Sequence, residues 1–195
     1  MRFDLIPGVF CVAGVGDREM SRPIVITGFM GCGKTRVARE LARSLEVLMI
    51  DLDDRITARE GRSPAQLIRE DGEQRFRAIE TSALRSVLEA GGAGVIALGG
   101  GAWIEAANRE LIREYGCQSV WLDVPFEVCW SRIERSEEDR PLGKTKEQAQ
   151  SLYDLRLPFY QLADIHIKVS PEDDELTVTT RIRAVVSTRF QDLQD

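Results

Sequence analysis

The stretch "GFMGCGKT", Gly28 to Thr35, stands between the apolar run "IVIT", Ile24 to Thr27, and a segment with apolar residues at helical spacing. It satisfies the pattern Gly-x-x-x-x-Gly-Lys-Thr, which carries meaning when a strand precedes it and a helix follows. Both conditions are met. "IVIT" is β-rich and continuously apolar, as in a strand buried on both faces. Beyond the loop, Val37, Ala38, Leu41, Ala42 and Leu45 fall on one helical stripe. The glycines let the backbone wrap with its N–H groups inward, and the helix start adds about half a positive charge at the same place. Lys34 is then expected to reach the β- and γ-phosphates of a nucleoside triphosphate, and the Thr35 hydroxyl to ligate Mg²⁺. Gly31, Cys32, Gly33 and Arg36 complete the expected ATP contacts.

Working outward, "VLMI" (47–50), the start of "GVIALGGG" (94–101) before it runs into its three glycines, "SVWLDV" (119–124) and "DIHIKV" (164–169) read as four further strands. Helical segments are expected at 55–60, at 64–70 behind Ser63 as N-cap, at about 73–90 until Gly91-Gly92, after Pro125, at 148–162 and from about 175. This alternation predicts an α/β fold: a three-layer P-loop sandwich, with a five-stranded parallel sheet between helices. Residues 136–146, "SEEDRPLGKTK", contain almost nothing apolar and are expected to form a mobile lid. One domain spans 22–195 in this reading, preceded by an extension, 1–21, of unknown role.

Composition narrows the function. The 195 residues carry 26 Lys and Arg against 32 Asp and Glu, a net charge of −6, which argues against an extended nucleic-acid surface. No apolar run is long enough to span a bilayer. Cys11, Cys32, Cys117 and Cys129 form no Cys-x-x-Cys pair, and His166 is the only histidine, so a zinc site is not expected. Four scattered thiols suit a reducing cytoplasm. The GTPase stretch Asn-Lys-x-Asp is absent. An enzyme handing a phosphoryl group to a small acceptor is the leading class.

In an open α/β sheet the acceptor lies beyond the carboxyl ends of the strands. The second strand ends in Asp51-Leu52-Asp53, two acids alternating across a strand end, one for the magnesium shell and one for an acceptor hydroxyl. The alternative is a capping role for the following helix, for which Asp54 is the better candidate. Gly99, Gly100 and Gly101 offer bare backbone, or else a simple loop. Arg77, a turn from Glu73 and Glu80, reads by default as a surface ion pair. Arg156 lies in "RLPFY".

Taken together, "GFMGCGKT", "DLDD", "GEQRFRAIE", "VIALGGG", "RPL" and "RLPFYQLADIHI" resemble the shikimate kinase family in order and approximate spacing, over about residues 22–170. The resemblance implies transfer of the ATP γ-phosphoryl group to the 3-hydroxyl of shikimate, on the route to chorismate and the aromatic amino acids. It implies that Arg77 and Arg156 hold the substrate carboxylate and that Asp53 orients the reacting hydroxyl and takes its proton. It also implies that Asp51 serves Mg²⁺ through water, that Gly99–Gly101 line the shikimate pocket and that Glu80 holds Arg77. By the same resemblance Arg140, in "DRPL", is expected to be the lid arginine over the transferred phosphate, and Arg135 is a candidate to stack on adenine. A cytoplasmic monomer acting on ATP and shikimate, without nucleic acid or membrane, is the expectation. Gly143 departs from the family, which usually has an apolar residue there. The rivals are a gluconate kinase on the same scaffold and a non-catalytic ligand binder; the second is disfavoured because Lys34, Asp53 and Arg140 are all present.

Overall fold

The computed structural model describes residues 22–136 and 141–191. Strands β1 (Ile24–Thr27), β2 (Leu48–Asp51), β3 (Ala93–Ala97), β4 (Gln118–Asp123) and β5 (Ile165–Lys168) form one sheet in the order β2-β3-β1-β4-β5. Every pairing is parallel. Each connection between parallel strands must cross over a face, and helices make the crossings. They are α1 (Lys34–Leu45), α2 (Leu52–Glu60), α3 (Pro64–Asp71), α4 (Glu73–Ala90), α5 (Ala106–Glu114), α6 (Phe126–Glu134), α7 (Lys146–Tyr160) and α8 (Glu175–Gln191). A short 3₁₀ turn, Ala102–Ile104, precedes α5.

The chain crosses from one side of β1 to the other between β3 and β4, which makes β1 the switch point at which open sheets bind ligands. The phosphate loop leaves β1 at that point. All four residues of β1 are buried, as are all five of β3, so the sheet's centre is dry on both faces. Beneath the loop, Phe29 and Phe126 pack edge-on against Tyr153, at 5.2 and 5.6 Å between ring centres. That cluster gives the loop a rigid floor.

Three local features differ from the sequence reading. Helix α2 begins at Leu52 because Asp51 itself is the N-cap, so Asp53 lies in the first helical turn and not on a strand. The 3₁₀ turn and α5 fill a stretch the sequence reading left blank. Helix α7 runs Lys146–Tyr160, capped by the Thr145 side chain, which accepts from the Gln148 N–H at 3.3 Å. Ser63 does cap α3, in a reciprocal box with Gln66. The extension, 1–21, and the centre of the lid, Glu137 to Arg140, lie outside the described residues.

The aspartate of "QLADIHI" has a structural task. Asp164 Oδ2 accepts from the Ser119 N–H at 2.9 Å and the Ser119 hydroxyl at 2.6 Å, and that hydroxyl accepts from the Asp164 N–H at 2.9 Å. The lock sits one residue before the β4–β5 ladder, which starts at Val120 and Ile165. Asp164→Ala leaves the buried Ser119 groups unpaired, at a cost of about 1–2 kcal/mol. For a chain of this size the melting temperature should fall by roughly 3–6 °C. Steady-state KM values measured alongside should not move; a change in them would give Asp164 a place in the site.

Candidate active site

The carboxyl ends of β1, β2 and β3 open into a cleft of about 910 Å³. On its nucleotide side, Gly31 and Gly33 take φ of 77° and 95°, conformations that a side chain would strain. A methyl group on Gly31 would also come within 2.6 Å of the Cys129 carbonyl on α6, so the loop can lie this close only as glycine. Lys34 Nζ donates to the Gly28 and Phe29 carbonyls at 2.9 Å each, which holds the ammonium over the loop. Arg132 on α6 reaches the same loop, its Nη1 donating to the Cys32 carbonyl at 3.2 Å.

Asp51 joins this side to the other. Its Oδ2 accepts from the Thr35 hydroxyl at 2.7 Å, and its Oδ1 accepts from the Asp53 N–H at 3.0 Å. One carboxylate therefore sets the start of α1 against the start of α2. A hydroxyl and a carboxylate in contact beside a phosphate loop are hard oxygen ligands of the kind Mg²⁺ takes. Among the described residues no three His, Cys, Asp or Glu side chains cluster as a metal site. The donor set suits an ion held partly by water and nucleotide phosphates, as Mg²⁺ usually is.

The acceptor side collects buried charge. Glu80 is fully buried and accepts from Arg77 Nη1 at 2.7 Å, while Arg77 Nη2 binds Glu73 at 2.8 Å. The Arg77 side chain is only 13% exposed, so this is no surface ion pair. Asp53 Oδ1 and Glu80 Oε1 are buried without a hydrogen-bond partner. A methyl group on Gly99 would meet both, at 2.7 and 3.0 Å. One on Gly101 would overlap the Arg77 guanidinium, and one on Gly100 would press on the Met30 N–H at 3.3 Å. The three glycines thus face the carboxylates, the phosphate loop and the arginine in turn. Arg156 is 7% exposed, lines the cleft, and forms no salt bridge among the described residues.

Burial, and secondarily the neighbouring Asp51 charge, pushes the Asp53 carboxyl up to about 6; Lys34 and Arg77 oppose the rise. Burial lifts Glu80 to about 7 against the pull of Arg77. A carboxylate poised near neutrality is suited to accept a proton.

The cleft therefore brings together Gly31, Cys32, Gly33, Lys34, Thr35, Arg36, Asp51, Asp53, Arg77, Gly99, Gly100, Gly101 and Arg156, all named from the sequence. Arg36 reaches it from an exposed position, paired with Glu175 at 2.7 Å. Arg135 is the exposed C-cap of α6 and is not part of the lining; Arg132, three residues earlier, is. Arg140 lies outside the described residues. Sequence reading also missed Met30 and Tyr160. The Met30 methyl occupies the place a side chain on the buried Gly143 would need, which accounts for a glycine at that point of the lid stem.

The raised Asp53 makes a stability prediction. Its folded form holds a proton more tightly than the unfolded chain, so stability is highest when it is protonated and falls as pH rises from about 4 through about 6. Asp53→Asn removes that loss. Melting without nucleotide or metal should show the variant more stable by about 1–3 kcal/mol at pH 8. The advantage should shrink as pH falls through 6 and vanish only near pH 4. A variant less stable than wild type at pH 8 would show that Asp53 is a favourable charge in its site.

A family model described as shikimate kinase matches residues 30–187. A shikimate kinase of Ruegeria pomeroyi is 35% identical over 177 residues, 89% of this chain and 89% of that protein. One from Geobacter sulfurreducens is 42% identical over 161 residues, covering 81% of this chain and 87% of its own. Among solved structures, a shikimate kinase from Acinetobacter baumannii in complex with shikimate superposes with a TM-score of 0.80 at 28% identity, over 86% of this chain and 94% of that one. A phosphate loop joined through one aspartate to a glycine-walled pocket of buried arginines, matched along most of its length, places this chain in the shikimate kinase family.

Proposed function

We propose that this chain transfers the γ-phosphoryl group of ATP to the 3-hydroxyl of shikimate, giving shikimate 3-phosphate and ADP for aromatic amino acid biosynthesis. The observation that carries this reading is the buried Arg156, which feels the Glu80 charge but forms no salt bridge among the described residues, and which shares a cleft with Arg77 and Asp53. A buried guanidinium without a paired anion is costly, and an acceptor's carboxylate would supply one. Two arginines offer it planar forks of donors. Gluconate is also a carboxylate, but an open chain has no need of the flat glycine wall.

With the carboxylate held, the reacting hydroxyl lies toward Asp53. Asp53 takes its proton as the oxygen bonds to the γ-phosphorus and the bond to the β–γ bridging oxygen breaks, releasing ADP. Lys34 and the loop N–H groups hold the β- and γ-phosphates. Thr35 and, through water, Asp51 would hold Mg²⁺, which neutralises charge on the phosphates when bound. Arg132 is the residue we assign to the adenine side in place of Arg135, because it touches the loop and lines the cleft. Arg140 closes over the transferred group on a lid, 136–146, whose stem residues Pro141 and Leu142 already line the cleft. Charge dispersed over the phosphoryl oxygens makes positioning and cationic stabilisation the main catalytic contributions. We assign the domain to residues 22–195 and its location to the cytoplasm; the described cysteines, Cys32, Cys117 and Cys129, are buried and form no disulfide with one another, as that compartment favours.

A coupled ADP-release assay with Mg-ATP tests the reading. Release should require shikimate, should not occur with gluconate, and should fall by about 10²–10⁴ in kcat for Asp53→Asn. Release with gluconate alone would assign another acceptor. ATP binding without release with either would make the chain a non-catalytic binder.

A further inference from the structure

One buried hydroxyl near the acceptor wall has no task in the mechanism above. Tyr160 is fully buried at the end of α7, and its hydroxyl donates to the Gly100 carbonyl at 2.6 Å. Arg156 lies one turn back on the same helix, close enough for its charge to act on the phenol. A phenol has one proton to give and lone pairs to receive, so it can serve a carbonyl and a guanidinium at once. Gly100 itself lies between the two sides of the cleft. A methyl group there would come within 3.3 Å of the Met30 N–H in the phosphate loop and 3.8 Å of Arg156 Nη1. The ring is held by Trp121, nearly parallel at 6.2 Å, and Trp121 is itself 5% exposed on β4. The hydroxyl cannot swing away without moving the helix end or the sheet.

We propose that Tyr160 is a positioning residue for the phosphoryl transfer, its single hydroxyl fixing both the Gly100 carbonyl on the acceptor wall and the Arg156 guanidinium opposite it. Its effect reaches the substrate through those two groups, since Tyr160 is not itself part of the cleft lining. A charged donor that must meet a carboxylate within a few tenths of an ångström gains most from such support. The inference rests on the assignment of Arg156 to the acceptor carboxylate. Trp103 provides an internal comparison. Its Nε1–H donates to the Phe159 carbonyl at 2.8 Å, anchoring the same turn of α7 through a different backbone group.

The test compares Tyr160→Phe, Trp103→Phe and Arg156→Ala in steady-state kinetics on the full chain. Tyr160→Phe should raise the KM for shikimate about tenfold, with the KM for ATP unchanged and kcat lowered no more than about threefold. Trp103→Phe should lower the melting temperature and leave the KM for shikimate in place. An unchanged KM for shikimate in Tyr160→Phe, or an equal rise in Trp103→Phe, would overturn the proposal. If Arg156→Ala also leaves that KM unchanged, the carboxylate assignment fails with it; if Arg156→Ala raises it, only the role of Tyr160 fails. Should Tyr160→Phe not fold, 3-fluorotyrosine at position 160 keeps the ring and the hydroxyl. Its fluorine resonance should shift when shikimate is added and stay still with Mg-ATP alone. No shift with shikimate would overturn the proposal.

Discussion

The two oxygens of Asp51 hold the site together. One takes the Thr35 hydroxyl at the start of α1 and the other the Asp53 N–H at the start of α2. The nucleotide side and the acceptor side thus share one carboxylate at the end of β2. This is also why Asp53 is helical. A strand residue two positions on would point along the sheet edge, but capping by Asp51 turns the chain at once and carries Asp53 over the glycine wall. The sheet order reinforces the arrangement, because β3 lies between β2 and β1 and delivers Gly99–Gly101 directly between the two sides.

The acceptor side is assembled from groups that would be more stable elsewhere. Asp53 and Glu80 each bury a carboxyl oxygen without a hydrogen-bond partner, and Arg156 is a buried cation without a salt bridge among the described residues. Each costs stability that the apolar centre of the sheet offsets. Opposite charges within one pocket relieve part of it, as Arg77 does for Glu80. What is left is a preorganised field around the place where a hydroxyl must lose a proton to a neighbouring carboxylate. In a protein of net charge −6 the cations of the cleft, Lys34, Arg77 and Arg156 among them, are set among acids of the same lining rather than spread over a basic surface.

Much of this was legible in the sequence where local physics decides. The five strands fall within a residue or two of their apolar runs, and Ser63 and the glycines after α4 mark helix ends by their chemistry. The phosphate loop is readable because its glycines and Lys34-Thr35 follow from what phosphate requires. Asp51 as cap was not, since Asp51, Asp53 and Asp54 compete and only the turn of the chain selects one. Helix α5 was missed because its N-cap, Glu105, makes no side-chain cap bond, although Leu111 and Ile112 carry its buried face. Arg132 and Arg135 differ only in where α6 stops, and no glycine or proline marks that stop. Tyr160 was visible as part of a motif, but its hydroxyl finds a partner 60 residues away, a pairing that only the fold creates.

The central claim is that buried arginines are there for the acceptor's carboxylate. The most direct measurement compares shikimate with its methyl ester, which keeps the ring and the reacting hydroxyl but removes the negative charge, in wild type and in Arg156→Ala. Wild type should use the ester with a KM about 10²-fold higher, the scale expected when a buried charge pair loses one member. The variant should distinguish the two acceptors by less than about tenfold, because the same interaction is already gone. Equal KM values for acid and ester in the wild-type protein would contradict the account and leave the buried arginines without the partner assigned to them.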